Sequence, residues 1–206
     1  MKNFGEIAFT DKVKQEQADH GSRETYAGMT ARPAPEGLGQ PEAAFIALRD
    51  SFYMATVSET GWPYVQHRGG PRGFLKVLSP TRLGFADYRG NRQYVSVANL
   101  KTDNRVSLFL MDYPNRARLK LLARSNVENA EDNPKLAATL AIEGAGKIER
   151  LFTLDIEAFD WNCPQFITPR FTEAELASAF APMVQELEYL KAENARLRDK
   201  LSHSSP

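Results

Sequence analysis

The rhythm of hydrophobic and polar positions changes several times along the chain, and each change predicts an element. Residues 1–40 are polar, hold no sustained period and end in Arg32-Pro33-Ala34-Pro35-Glu36-Gly37-Leu38-Gly39, which reads as an arm. Pro41 suits the first turn of a helix, and Ala44, Phe45 and Leu48 then share one face. From Phe52 the spacing becomes that of strands. Phe52–Ser58 and Trp62–Arg68 flank the turn Glu59-Thr60-Gly61, and Gly69-Gly70-Pro71-Arg72-Gly73 breaks the second arm. Phe74–Leu78 and Leu83–Tyr88 make another hairpin around Ser79-Pro80-Thr81. A helix over 92–100 puts Tyr94, Val97 and Leu100 on one side, and strands follow over 105–111 and 116–127. Pro134–Ile142 reads as a helix with Leu136 and Leu140 one turn apart. Ile148, Phe152, Leu154 and Ile156 interleave with Glu149, Thr153, Asp155 and Glu157, a last long strand with one buried face.

At least six strands in hairpins with short helices predict a mainly β (α+β) fold, an antiparallel barrel with helical insertions. The expected organisation is an arm over 1–40, the barrel over 41–171 and a helical unit over 172–206.

Composition removes several functional classes. Lys plus Arg and Asp plus Glu are 26 each in the 206 residues, so the chain is neutral and lacks the footprint of a nucleic-acid binder. One cysteine, Cys163, excludes an internal disulfide framework; with no His or cation near it in sequence it reads as a buried, inert thiol. His20, His67 and His203 are too scattered to suggest a metal site. The polar start Met1-Lys2-Asn3-Phe4-Gly5-Glu6 and the lack of a long apolar run predict a soluble, cytoplasmic protein without a membrane partner. No P-loop, dinucleotide glycine fingerprint or Gly-x-Ser-x-Gly elbow occurs, and no residue is nominated as catalytic acid, base or nucleophile.

Two stretches carry candidate chemistry. In Phe85-Ala86-Asp87-Tyr88-Arg89-Gly90-Asn91-Arg92-Gln93 a strand turns through Gly90 into a helix that Asn91 is placed to cap. Free N–H groups at such a start, with Arg92 beside them, can hold a phosphate; an ordinary capped helix with a surface arginine reads the same way. In Tyr64-Val65-Gln66-His67-Arg68-Gly69-Gly70, Gln66 and Arg68 share one strand face and His67 the other. Donors beside glycines suit close approach of a ligand, or simply an edge strand fading into a loop.

Taken in order with Ala55-Thr56-Val57-Ser58-Glu59-Thr60-Gly61-Trp62-Pro63-Tyr64 and Asp103-Asn104-Arg105-Val106-Ser107-Leu108-Phe109-Leu110, these segments resemble the pyridoxamine 5′-phosphate oxidase-like FMN-binding split-barrel family from about Phe45 to Phe159. The resemblance implies a six-stranded split barrel, a tight homodimer and FMN in clefts at its interface. It implies that Gln66, His67, Arg68 and Gly69 run beside the flavin ring and ribityl chain. Ala86 and Asp87 correspond to flavin contacts, and Asn91, Arg92 and Gln93 to a Ser-Arg-Lys-like phosphate site with one charge fewer. Arg118 matches a polar residue that reaches the flavin of the opposite subunit. Asp160–Arg170 looks like the ending of a subgroup of flavin split barrels. That likeness implies that Trp161 packs over the flavin and Asn162 or Gln165 reaches its heteroatoms; a Trp and a Pro closing the barrel end is the alternative. The Arg-x-His ending of true pyridoxamine phosphate oxidase is replaced by Phe166-Ile167-Thr168-Pro169-Arg170, so the likeness is to the wider family and not to the vitamin B6 reaction.

The expected activity is FMN-dependent oxidoreduction between NAD(P)H or a small substrate and an acceptor such as oxygen. A non-catalytic flavin- or haem-binding module, with His67 as first candidate for haem, is the alternative. Near the carboxy terminus, Met183, Leu187, Leu190, Asn194, Leu197 and Leu201 follow a 4-3-4-3-4 spacing, a heptad seam with Asn194 at an a position. It predicts a parallel coiled coil between two copies, or an amphipathic helix packed on its own barrel.

Overall fold

Every strand-patterned run forms a strand in the computed structural model, which describes residues 1–161 and 163–203. They are β1 (Ser51–Val57), β2 (Pro63–Gly69), β3 (Lys76–Ser79), β4 (Arg82–Tyr88), β5 (Arg105–Asp112), β6 (Ala117–Asn129) and β7 (Ile148–Trp161). They join in one antiparallel seven-stranded sheet in the order β2-β1-β5-β6-β7-β4-β3. The six strands implied by the family resemblance fall one short, because the four-residue β3 pairs with β4 and extends the sheet edge.

Packing shows that this sheet curls. β1 and β4 are not hydrogen-bonded neighbours, yet Phe52 of β1 meets Phe85 of β4 edge-to-face at 5.5 Å and stacks with Phe74 at 5.6 Å. Phe85 in turn stacks on Phe152 of β7 at 4.7 Å. Apolar residues of β1, β4, β5, β6 and β7 thus share one core, which requires the sheet to wrap around it. The register of the long β6–β7 pair shifts between Leu122 and Ala123, where a bulge bends the ladder.

The helices are α1 (Phe4–Ala8), α2 (Asp11–Asp19), α3 (Arg23–Thr30), α4 (Gln40–Ala47), α5 (Val95–Thr102), α6 (Pro134–Leu140) and α7 (Glu173–His203). The stretch expected to be an irregular arm thus contains three short helices. Asn3 and Thr10 cap the first two, and Lys2 N donates to Glu157 O at 2.7 Å, tying the start of the chain to β7. A Cβ at Gly5 would collide with Thr30, so α1 and α3 touch through that glycine. In α4 the buried face is Glu42 and Ile46, not Ala44 and Leu48. Glu42 faces inward because both its oxygens are used: Gly39 N donates to Oε2 at 2.9 Å and Trp161 Nε1 to Oε1 at 2.7 Å.

The chain forms two compact units, Met1–Asp112 with Arg116–Ile167, and Tyr113–Asn115 with the chain from Thr168 onward. The second is built on α7, whose start is a capping box: Thr172 N donates to Glu175 Oε2 at 2.8 Å and Glu175 N to Thr172 Oγ1 at 3.3 Å.

Phe52 is fully buried between Phe74 and Phe85. Phe52→Ala is expected to destabilise the protein by about 3–5 kcal/mol in denaturant titrations. A loss below about 1 kcal/mol would mean that the two halves of the curled sheet do not depend on this contact.

Candidate functional site

β2, β4, the start of β7 and the loop before α5 enclose a cleft of about 370 Å³. Its deepest charged group is Arg68. The guanidinium lies 5.0 Å from the Phe152 ring and 5.5 Å from the Phe85 ring, and Nη1 donates to Asp87 Oδ1 at 2.8 Å. Burial pulls the Arg68 pKa down, against the opposing pull of Asp87. Its Nε is buried without a hydrogen-bond partner among the described residues.

Asp87 is shared. Arg150, directly opposite it across the β4–β7 ladder, approaches its other oxygen at 3.4 Å and stands equally far from Glu149. Arg150 also lies 4.3 Å over the Tyr94 ring. Burial works against the Arg150 charge, but Tyr94, Asp87 and Glu149 outweigh it and push its pKa up. At the rim, Arg92 Nε donates to the Tyr94 hydroxyl at 3.0 Å. That bond, with a contribution from Arg150, holds the phenol below its ordinary pKa. Arg68, Arg92 and Arg150 against Asp87 and Glu149 leave one net positive charge in the cleft. On its other wall, Ser96 donates to Gln66 Oε1 at 2.7 Å and fixes that amide from the first turn of α5.

Gln66, His67, Arg68, Gly69, Ala86, Asp87, Asn91, Arg92 and Gln93 all line this cleft. Asn91 does not cap the helix. α5 starts at Val95, with Tyr94 in the cap position, because Arg92 (φ 60°) and Tyr94 (φ 56°) both turn left-handed and break the helical run. Asn91 Oδ1 instead accepts from Gln93 N at 3.2 Å, a local Asx turn. Three expected residues lie elsewhere. Arg118 is on β6 opposite Met111, its guanidinium 5.8 Å from the Phe109 ring and its Nε buried without a partner among the described residues. Trp161 is held by Glu42 and by edge-to-face contact with Phe45 at 4.8 Å, so within this chain it closes the end of the sheet. Gln165 is exposed in the turn after β7, Cys163 beside it is exposed and not buried, and Asn162 lies outside the described residues.

Arg150, Tyr94 and Ser96 were not anticipated. The pairing of Arg150 with Asp87 depends on which strands become neighbours, and no local pattern carries that information. A wider groove of about 1120 Å³ runs along α5 and β6, and two of its arginines are already committed to carboxylates. Arg105 forks onto Asp103 and draws that carboxyl down to about 2, while Arg124 pairs with Glu157 at 2.8 Å.

The smaller cleft can bind an anion beside a flat group. Arg92 supplies a rim cation, Arg68 Nε an unused donor, and Phe74 and Phe85 apolar wall. A Cβ at Gly70 would come within 2.7 Å of the Phe74 ring, so the backbone there can follow the wall closely only as glycine.

Residues 40–154 match the family model for pyridoxamine 5′-phosphate oxidase. No curated protein matches the sequence. Solved structures similar to the chain include HupZ of Group A Streptococcus, at 10% identity and TM-score 0.48 over 65% of this chain and 99% of that one. An FMN-binding protein from Syntrophomonas wolfei has 12% identity and TM-score 0.42, covering 74% and 96% of the two chains. HutZ, the heme storage protein of Vibrio cholerae, has 17% identity and TM-score 0.39 over 59% and 92%.

The Arg68–Asp87 pair sets a test that needs no ligand. Both side chains are less than one-fifth exposed. Asp87→Ala leaves Arg68 without its counter-charge and is expected to cost about 2–4 kcal/mol in stability. Arg68→Met combined with Asp87→Leu should cost less than Asp87→Ala alone in the same denaturation measurement. The reverse order would show that the pair itself, and not relief of a stranded charge, supplies the stability.

Proposed function

The chain belongs to the pyridoxamine 5′-phosphate oxidase family, and from that premise we propose that its cleft binds FMN and serves an oxidoreductase. The observation that carries the reading is the convergence of three separate segments, 66–69, 86–87 and 91–93, around the unused donor of Arg68. Bound there, FMN would supply hydride and electron transfer between NAD(P)H or a small substrate and an acceptor such as oxygen. The chain's own residues bind and orient. Arg92 neutralises the phosphate at the rim, and Arg68 Nε donates from below. Gln66, fixed by Ser96, presents its amide nitrogen along the wall. Asp87 keeps Arg68 and Arg150 pointing into the cleft. The reading includes a homodimer with the flavin at its interface, in which Arg118 on β6 reaches the partner's cleft.

The deciding experiment is a spectrum of the purified protein and mass analysis of any released ligand. The expected result is FMN, bleached by NAD(P)H and restored by air. A Soret band would overturn the reading and make His67 the first candidate ligand; a flavin that neither NAD(P)H nor small reductants bleach would leave a binding module. Arg92→Ala should weaken FMN binding roughly 10- to 100-fold by fluorescence titration, the scale of a lost charge-assisted contact. Unchanged affinity would place the phosphate elsewhere.

Tyr94 adds a pH dependence with a definite sign. Below its lowered pKa the phenol is neutral and only accepts a hydrogen bond from Arg92 Nε, so the arginine keeps its charge for the phosphate. Above it, the phenolate holds both Arg92 and Arg150 and competes with the phosphate. FMN affinity should therefore fall on the alkaline side, and Tyr94→Phe should remove that fall. An alkaline limb that persists in Tyr94→Phe would assign it to another group.

A further inference from the structure

α7 carries a longer apolar seam than the six positions that first reveal it. Leu176, Met183, Leu190 and Leu197 recur every seven residues as d positions, and Phe180, Leu187 and Asn194 as a positions. The apolar members are 40–67% exposed, an unusual state for large side chains spaced on a single helix stripe. Pro182 falls at a c position, so its ring leaves the stripe unbroken. Over 31 residues the helix is about 46 Å long, ample for several heptads of contact.

We propose that α7 pairs with α7 of a second copy of this chain as a parallel, in-register, two-stranded coiled coil. Charge decides both the partner and the direction. In the parallel register each g residue faces the e residue five positions later on the partner helix. Those pairs are Glu186 with the partner's Lys191 and Glu193 with the partner's Arg198, all attractive. An antiparallel arrangement that keeps the stripe in contact sets Asn194 against the partner's Leu190. It also brings Glu193 onto the partner's Glu193 and Lys191 onto the partner's Lys191, so like charges meet at its centre. Only the parallel register lets the two Asn194 side chains bond each other, the device that selects two strands at some cost in stability. Within the helix Lys191 pairs with Glu188 at 2.9 Å and Glu193 with Arg196 at 2.7 Å. Exposed pairs of this kind are worth little and can exchange for the interhelical ones. This inference does not depend on the flavin reading.

Site-directed disulfide formation in the full chain tests it, with Cys163→Ser removing the exposed native thiol. Asn194→Cys should link to itself rapidly under mild oxidant and run as a dimer on non-reducing gels. Ala195→Cys, at an outward b position, should link at least about fivefold more slowly, since only seam positions bring the two β carbons close. Glu193→Lys should slow the linkage at 194, and adding Arg198→Glu should restore it. Equal rates at 194 and 195 would overturn the proposal. So would a mixed disulfide between Leu190→Cys and Asn194→Cys chains that forms faster than either chain links to itself, since that is the antiparallel outcome.

Discussion

A guanidinium pressed against two core phenylalanines is the constraint around which the cleft is built. Arg68 enters the side of the core at Phe85 and Phe152, where its charge loses most of its hydration. A cation in that position survives only with a counter-charge at contact distance, and Asp87 provides it at 2.8 Å. The carboxylate must be rigid to do so. It is set by β4, whose partner β7 presents Arg150 directly opposite, so one carboxylate serves two arginines. Glu149 balances the second arginine, so the surplus positive charge of the cleft is that of Arg92 at the rim, and Arg68 Nε is left with bonding capacity unused. The same arrangement that permits burial of the arginine makes the cleft receptive to an anion.

The surrounding elements keep that geometry in place. Beneath β4, Leu140 of α6 fills the space against Ala86 and Leu151, and Ile142 N donates to the Tyr88 hydroxyl at 2.7 Å. The register of β4 on β7 slips between Asp87 and Tyr88, so the ladder remains regular up to the residue that holds Arg68 and becomes irregular just beyond it. On the facing wall, Asn99 of α5 donates to Thr56 in the buried sheet at 2.9 Å, which fixes the helix that carries Ser96. The Ser96–Gln66 and Asn99–Thr56 pairs satisfy one another and orient the cleft wall.

Much of this could be read from the chain, for a physical reason. Period-two alternation and turn chemistry are local, so all seven strands and the hairpins around Gly61 and Pro80 were visible, and with them the segments that line the cleft. Helix faces were less legible. Glu42 looks like a solvent residue until Gly39 N and Trp161 Nε1, the latter far along the chain, are seen to use its oxygens. The first 40 residues hid their helices because those helices are short and polar, and only the caps Asn3 and Thr10 betray them. The Arg150–Asp87 pairing and the Glu42 partner of Trp161 are not legible in the chain, because strand order and register bring those groups together and a linear pattern does not contain them.

The loop before α5 shows how the cleft differs from the arrangement its residues first suggest. A helix beginning at Asn91 would have offered its backbone N–H groups to a phosphate at little conformational cost. The chain instead places two non-glycine residues, Arg92 and Tyr94, in the left-handed region, each at a cost on the order of 1–3 kcal/mol. Side-chain contacts return part of that cost: the Arg92–Tyr94 bond at 3.0 Å and the Arg150 guanidinium over the Tyr94 ring. Tyr94 thereby ties the rim arginine to the strand arginine that shares Asp87 with Arg68. An anion entering this cleft meets a linked set of guanidinium groups, not the end of a helix. Its recognition then rests on the strand register that sets Arg150 opposite Asp87 as much as on the loop that displays Arg92.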